Sequence, residues 1–243
     1  MNGFTSVFKR EIKAYFSTPL AYVFLVVFLV LCGLLTFMDD FFKMRQASMQ
    51  VFFSNVPMLF IFLVPAIAMR LWSEERRSNS MELLFSLPIT TTQAVLGKFF
   101  AAWGVLALAL LLTFPMVMTV TYLGDPDWGP IITGYIGSFL LAGAYLAIGS
   151  FFSVLTRSQV ISFVLGVVFC GVFLYLGSPQ VMSLMSSFAP MGFVEAMESM
   201  SFQTRFESIQ RGVVELRDLM FFLLVIAGWL WANIILLEER RAA

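Results

Sequence analysis

Histidine is absent from this chain of 243 residues. That removes the usual transition-metal ligand and the usual proton shuttle near neutral pH. Without it no Ser/His/Asp or Cys/His nucleophilic set can be built. Charge is scarce too. Asp, Glu, Lys and Arg make up 12% of residues, where a soluble domain carries roughly 25%. The 15 basic and 15 acidic residues balance, so no excess of positive charge argues for nucleic acid. The two cysteines, Cys32 and Cys170, each lie in the middle of an apolar run. A disulfide at mid-bilayer depth is not expected, and both read as small apolar packing residues. There is no Gly-x-x-x-x-Gly-Lys-Ser/Thr phosphate loop, so no cofactor and no ATP held in that manner are expected in this chain. Residues 1–19 do not read as a cleavable signal peptide, because a charged amphipathic stretch precedes the first apolar run and no small-residue cleavage site follows closely.

What is present is apolar. The chain is 60% hydrophobic, with 28 Phe and a mean hydropathy of +0.89. Six runs are long enough to cross a hydrocarbon core of about 30 Å. They cover residues 20–38, 51–71, 99–123, 131–155, 160–177 and 219–237. The expected fold is an all-α polytopic membrane protein, a single transmembrane domain over residues 1–243. Pro57 and Pro65 in the second run and Pro115 in the third are expected to kink their helices. Only Arg70, at the end of the second run, places a full charge in a span. Ion-coupled carriers keep ionisable groups inside their spans, so the free energy for any transport is expected from a partner. Six spans put both termini on one side. With that side taken as cytoplasmic, it carries ten Lys and Arg against six carboxylates, and the outer side five against nine. The bias fits that orientation, in a bacterial cytoplasmic membrane.

Between the spans, three segments carry pattern. Over residues 7–16, Val7, Phe8, Ile12, Tyr15 and Phe16 recur at helical spacing, with Lys9, Arg10 and Lys13 between them. This predicts an amphipathic helix in the cytoplasmic interface of the bilayer. A mere positive flank of the first span is the alternative. Residues 70–98 come next. Asn79 stands three residues before Glu82, a capping box that predicts a short helix from about Ser80, with Met81, Leu84 and Phe85 on one face. Leu87-Pro88 stops it, and Thr90 with Gln93 opens the helix into the third span. An ordinary solvated loop is the alternative here. Residues 178–218 form the long outer loop, where Phe188, Met191, Phe193, Met197, Met200, Phe202 and Phe206 predict one or two amphipathic helices capping the bundle. Asp39, Asp40, Asp125 and Asp127 lie just outside the spans and read as interface markers, so no metal site is assigned. Gly134, Ser138 and Ala142, and Gly149 and Ser153, form small-residue rows suited to close packing within the chain.

These residues resemble the signature of type 2 ABC-transporter permeases. The matching positions are Met69-Arg70-Leu71, Glu74-Glu75-Arg76-Arg77, Glu82-Leu83-Leu84, Leu87-Pro88 and Gly97-Lys98. Asn79-Ser80 departs from the usual Gly-Thr while keeping a capping residue. Phe206, Gln210-Arg211-Gly212-Val213-Val214, Leu216-Arg217-Asp218 and the closing Leu237-Glu238-Glu239-Arg240-Arg241 look like the gliding-motility (GldF-like) branch. The resemblance implies a permease subunit, not an enzyme, paired with a second copy in a twelve-helix homodimer core. Two cytosolic ATP-binding-cassette ATPases, holding the ATP and Mg, would sit beneath it. The helix bearing Phe8, Lys9, Arg10, Ile12 and Lys13 would be the interfacial elbow. Residues 73–88 would be the coupling helix. Glu74, Glu75, Arg76, Arg77 and Glu82 would make charge pairs with the ATPase, Leu83, Leu84 and Phe85 would supply the buried face, and Pro88 would end it. The branch implies a further membrane-anchored partner with a large outer domain. Export is the leading expectation. The alternative is a mechanical or regulatory assembly that moves such a partner and translocates nothing.

Overall fold

The computed structural model describes residues 3–38, 48–78, 89–187 and 190–242. Among the described residues all regular structure is helical, in twelve segments. They are α1 (Gly3–Ser17), α2 (Pro19–Met38), α3 (Gln50–Ala68), α4 (Arg70–Arg77), α5 (Thr91–Leu111), α6 (Phe114–Leu123), α7 (Trp128–Leu155), α8 (Gln159–Tyr175), α9 (Pro179–Ser186), α10 (Met191–Ser199), α11 (Phe202–Gln210) and α12 (Leu216–Ala242). Five helical stretches are long and apolar enough to cross a membrane: Ala21–Met38, Gln50–Arg77, Thr91–Leu123, Trp128–Leu155 and Leu216–Arg240. A sixth counts if α8 and α9, bent by 76° at their junction, form one span.

The lengths explain where charge collects. Thr91–Leu123 has 33 residues and Gln50–Arg77 has 28. At 1.5 Å per residue these are about 50 and 42 Å, well beyond a core of about 30 Å. Their polar ends, the start of α5 and all of α4, therefore extend past the apolar layer. They meet there with α1 and with the ends of α7 and α12. The opposite end of the bundle holds α9, α10 and α11.

α7 is the axis. Residues 141–150 are buried without interruption, as expected of a helix surrounded on all sides. Small residues make that possible. A Cβ at Gly134 would lie 2.5 Å from the Phe53 ring, and one at Gly149 would lie 2.5 Å from the Ala68 Cβ. The small-residue rows of α7 thus serve packing within the chain, against α3.

Breaks in the long helices are stitched by hydroxyl groups. α3 runs through Pro57 and Pro65, and its hydrogen-bond ladder breaks at Met69, one turn beyond Pro65. There Ser153 of α7 inserts. Its buried Oγ accepts from the backbone N–H of Trp72 and of Ser73, both at 3.0 Å, and donates to Met69 O at 2.9 Å. One hydroxyl so fills its whole bonding capacity. The third span breaks at 112–113, just before Pro115, whose ring and missing N–H disfavour the preceding turn. Thr113 Oγ1 donates to Leu110 O at 2.6 Å and pairs with Tyr135 Oη at 2.8 Å.

At the far end the long loop holds three short helices, where one or two are expected from sequence. α11 is a plug more than a cap. Phe202, Phe206 and Ile209 are fully buried, packed on α7 and α8. Ser201 Oγ donates to Leu174 O at 3.0 Å. Arg205 bonds Asp218 of α12 at 2.9 Å and Ser199 O at 3.1 Å, and lies over the Phe221 ring. Gly212, at φ +92°, ends α11 in the left-handed conformation that disfavours side chains.

Gly149→Ala is expected to destabilise the chain by about 1–3 kcal/mol, because the added methyl has no room against Ala68. Gly171→Ala meets nothing within 4 Å and is expected to be tolerated. Thermal unfolding of both variants in one detergent separates them.

Candidate functional site

The end of the bundle where α1, α4 and α5 meet is built from the start of α5. Thr90 Oγ1 accepts from Gln93 N at 3.2 Å, and Gln93 Oε1 accepts from Thr90 N at 3.3 Å. This capping box, expected from the spacing, starts the helix eight residues before the apolar run. It puts Gly97 and Lys98 in the second turn. Gly97 lets α1 come close: a Cβ there would lie 2.8 Å from Val7 Cγ1. Val7 is the buried contact of α1, while Phe8 and Ile12 are half-buried and Lys9 and Lys13 face outward.

Beside that contact sits a buried ammonium. Lys98 is 3% exposed. Its Nζ lies 2.9 Å from Glu75 Oε1 of α4 and 3.2 Å from Glu11 Oε1 of α1, with the Trp72 ring centroid at 5.1 Å. Arg10 closes the set, at 2.7 Å from Glu11 and 3.5 Å from Glu75. Two cations and two carboxylates from three helices form one neutral cluster. Such a cluster gains from low local dielectric only while complete, since a lone buried charge is strongly unfavourable. A cleft of about 350 Å³ opens next to it between α1 and α4. Arg70 and Glu74 flank that cleft as a two-pronged pair, at 2.8 and 3.2 Å.

Electrostatics follow the geometry. Burial alone pushes the Glu11 carboxyl up, but Lys98 and then Arg10 outweigh it and hold the group below its ordinary 4.5. Burial, and next the Glu11 charge, push the Tyr15 phenol up.

The residues expected from sequence to meet an ATPase divide here. Glu75 is turned inward to Lys98, and its side chain is 19% exposed. Arg76 donates to Val154 O at the end of α7, where Arg240 also donates to Leu155 O at 3.3 Å. Cations at a helix C-terminus satisfy its orphan carbonyls. Glu74, 51% exposed, and Arg77 remain at the surface. Glu82, Leu83, Leu84, Phe85 and Pro88 lie outside the described residues. Sequence alone gives Glu11, Trp72 and Ser153 no role at this end. An acidic residue inside a basic amphipathic helix is the available signal for Glu11. For Lys98 it is adjacency to Gly97 just inside a helix start.

Lys98→Met is expected to lower stability by about 2–3 kcal/mol, less than for fully buried pairs because Glu11 and Glu75 keep some solvent. Adding Glu75→Gln should recover part of the loss, read as coupling in a double-mutant cycle of unfolding midpoints. The depressed Glu11 value fixes the sign of a second outcome. Its stabilisation is present above about pH 4.5 and is lost as pH falls through the lowered value. The stability difference between the native chain and Glu11→Gln should therefore be constant near neutrality and close on acidification.

The family described as ABC-2 family transporter protein matches residues 35–236, most of the chain and all of the bundle from the end of α2 to the last turns of α12. No curated protein gives a significant match. An all-helical bundle with five to six candidate spans agrees with that family in architecture. The chain belongs to the ABC-2 family of transporter proteins, as a non-catalytic, multi-pass membrane subunit of an ABC transporter, a family that implies association with an ATP-binding subunit.

Proposed function

We propose that this chain is the permease of an exporter in a bacterial cytoplasmic membrane, with six spans and both termini cytoplasmic. It works as a homodimer over two cytosolic ATPases. The α4–α5 end faces the cytoplasm, and residues 73–88 receive the ATPase. The observation that carries the reading is the Lys98 cluster. It fastens both flanks of the 79–88 segment, α4 and α5, to the helix α1. A push on that segment is then delivered to three elements at once. Surface residues Glu74 and Arg77, with Glu82, Leu83, Leu84 and Phe85, make the ATPase contact, and Pro88 ends it. Glu75 and Arg76 act behind it, holding α4 to Lys98 and to α7.

A mechanical reading within the gliding-motility branch is favoured by α11. Because Phe202, Phe206 and Ile209 are seated against the span α7, movement of α7 carries the outer helices with it. A membrane-anchored partner with a large outer domain would feel that movement with no cargo crossing.

Affinity purification from the native membrane, with mass spectrometry, is expected to recover a cassette ATPase. Glu74→Lys with Arg77→Glu should abolish that recovery and the stimulated hydrolysis while the chain stays folded, at a stability cost of about 1 kcal/mol from the exposed Arg70–Glu74 pair. A folded chain recovered without any ATPase would sink the permease assignment. Leu184→Glu with Met200→Glu, both on exposed outer positions, separates the two readings. Loss of an outer partner with normal ATPase coupling supports the mechanical one.

A further inference from the structure

Arg10, Arg70, Arg205 and Arg211 each face a carboxylate. Three arginines that do not gather at the end of α7: Arg76 of α4, Arg157 of the turn into α8, and Arg240 of α12. Arg76 donates to Val154 O. Arg240 Nη2 donates to Leu155 O at 3.3 Å. Arg157 follows two residues on. Arg76 lies near enough to Arg240 and Arg157 to feel the charge of both. Among the described residues no carboxylate pairs with any of the three. Glu238 and Glu239, beside Arg240 in the chain, are exposed and make no ion pair with them. Arg157 and Arg240 have no part in the coupling reading.

Capping of α7 does not use up this charge. A helix C-terminus carries about half a negative unit, against three positive ones. A guanidinium has five N–H donors, and Arg76 and Arg240 each give one bond to α7. The start of α8 adds to the excess. Ser158 Oγ accepts from Ile161 N at 3.5 Å as its cap, and the positive end of the α8 dipole joins the same patch. What the patch lacks is an anion.

The surroundings select the kind of anion. The patch lies where α7 ends and α8 begins, two spans joined by Thr156, Arg157 and Ser158 alone. Leu155, Val160 and Ile161 beside it are exposed, and Val164 continues the Val160 face one turn deeper, exposed as well. A soluble anion makes no use of that apolar strip. A phosphate esterified to acyl chains fits both parts, with oxygens for the guanidinium forks and chains for the strip. A head group that also carries an ammonium brings a cation to a place with no carboxylate to receive it.

We infer that this patch binds the phosphate of an acidic phospholipid, with its chains against α8. The cytoplasmic leaflet as its source rests on the orientation proposed above; the charge count does not.

The test uses the full chain purified in an uncharged detergent. It is offered an equimolar mixture of phosphatidylglycerol, phosphatidylethanolamine and phosphatidylcholine with matched acyl chains. Retained lipid is read by native mass spectrometry. Phosphatidylglycerol is expected to be enriched about tenfold over either zwitterionic lipid. Arg157→Gln and Arg240→Gln should each cut that enrichment about fivefold, the effect of one arginine at a membrane surface, and together abolish it. The unfolding midpoint without lipid should stay close to native, since neither change strands a buried charge. Arg217→Gln, an exposed arginine at the other end of α12, removes the same net charge and should change nothing. Excess inorganic phosphate should leave the lipid in place. Equal retention of the three lipids, an equal loss in Arg217→Gln, or displacement by inorganic phosphate would overturn the inference. So would enrichment that survives the double substitution while ATPase recovery is lost, which assigns the arginines to the ATPase. The lipid readout needs no ATPase. Failure to recover one would sink the permease assignment and leave a positive lipid result intact.

Discussion

Hydrocarbon offers no hydrogen-bond partner, and the rest of this structure depends on that constraint. Any backbone group that leaves the helical ladder must find a partner within the protein. The chain breaks its ladder at Met69, at 112–113 and between α8 and α11. At each place a side-chain hydroxyl stands in: Ser153, Thr113 with Tyr135, and Ser201. The bends needed to carry α4 and the short outer helices are thus retained with Met69 O, Leu110 O and Leu174 O each accepting from a hydroxyl. The same constraint makes α7 central, because a donor such as Ser153 reaches a neighbour's backbone only where glycine lets the helices close up.

Charge obeys a related rule. Among the described residues, ionised groups are confined to the two ends of the bundle, and the buried ones, Lys98 and Asp218, are paired across helices. At one end Lys98 joins α1, α4 and α5. At the other Arg205 joins α11 to α12 through Asp218. Each pairing ties a short surface helix to a span. The short helices are therefore packed as parts of the bundle, and α7 touches α4 at one end and α11 at the other.

Much of the fold is legible in the sequence because its signals are local. Six apolar runs, the Thr90–Gln93 capping box and the small-residue rows of α7 each depend on residues close in the chain. The site is less legible because its bonds are long-range. Glu11 and Glu75 are 64 positions apart, and the pattern of α1 marks Phe8 and Ile12 while giving no hint that Glu11 points at Lys98. Glu74 and Glu75 are neighbours in sequence with opposite fates, one at the surface and one inside, a difference set by where α1 docks. The outer loop reads as amphipathic from its Phe and Met content, yet only the packing distinguishes Phe202 and Phe206, which enter the core, from Met200, which does not. The Gln210-Arg211-Gly212 motif reads in structure as a helix stop at positive φ.

The balance of the Lys98 cluster has an electrical consequence. Moving one unit charge through the membrane field involves about 2.3 kcal/mol per 100 mV. Arg10 and Lys98 against Glu11 and Glu75 sum to zero, and Arg70 with Glu74 adds nothing. If these six side chains shift together along the membrane normal, the transmembrane voltage does no net work on them, and only the other cations of α1 and α4, namely Lys9, Lys13, Arg76 and Arg77, feel it. The pairing that joins the three helices is therefore itself indifferent to voltage, whatever field the surface cations around it meet.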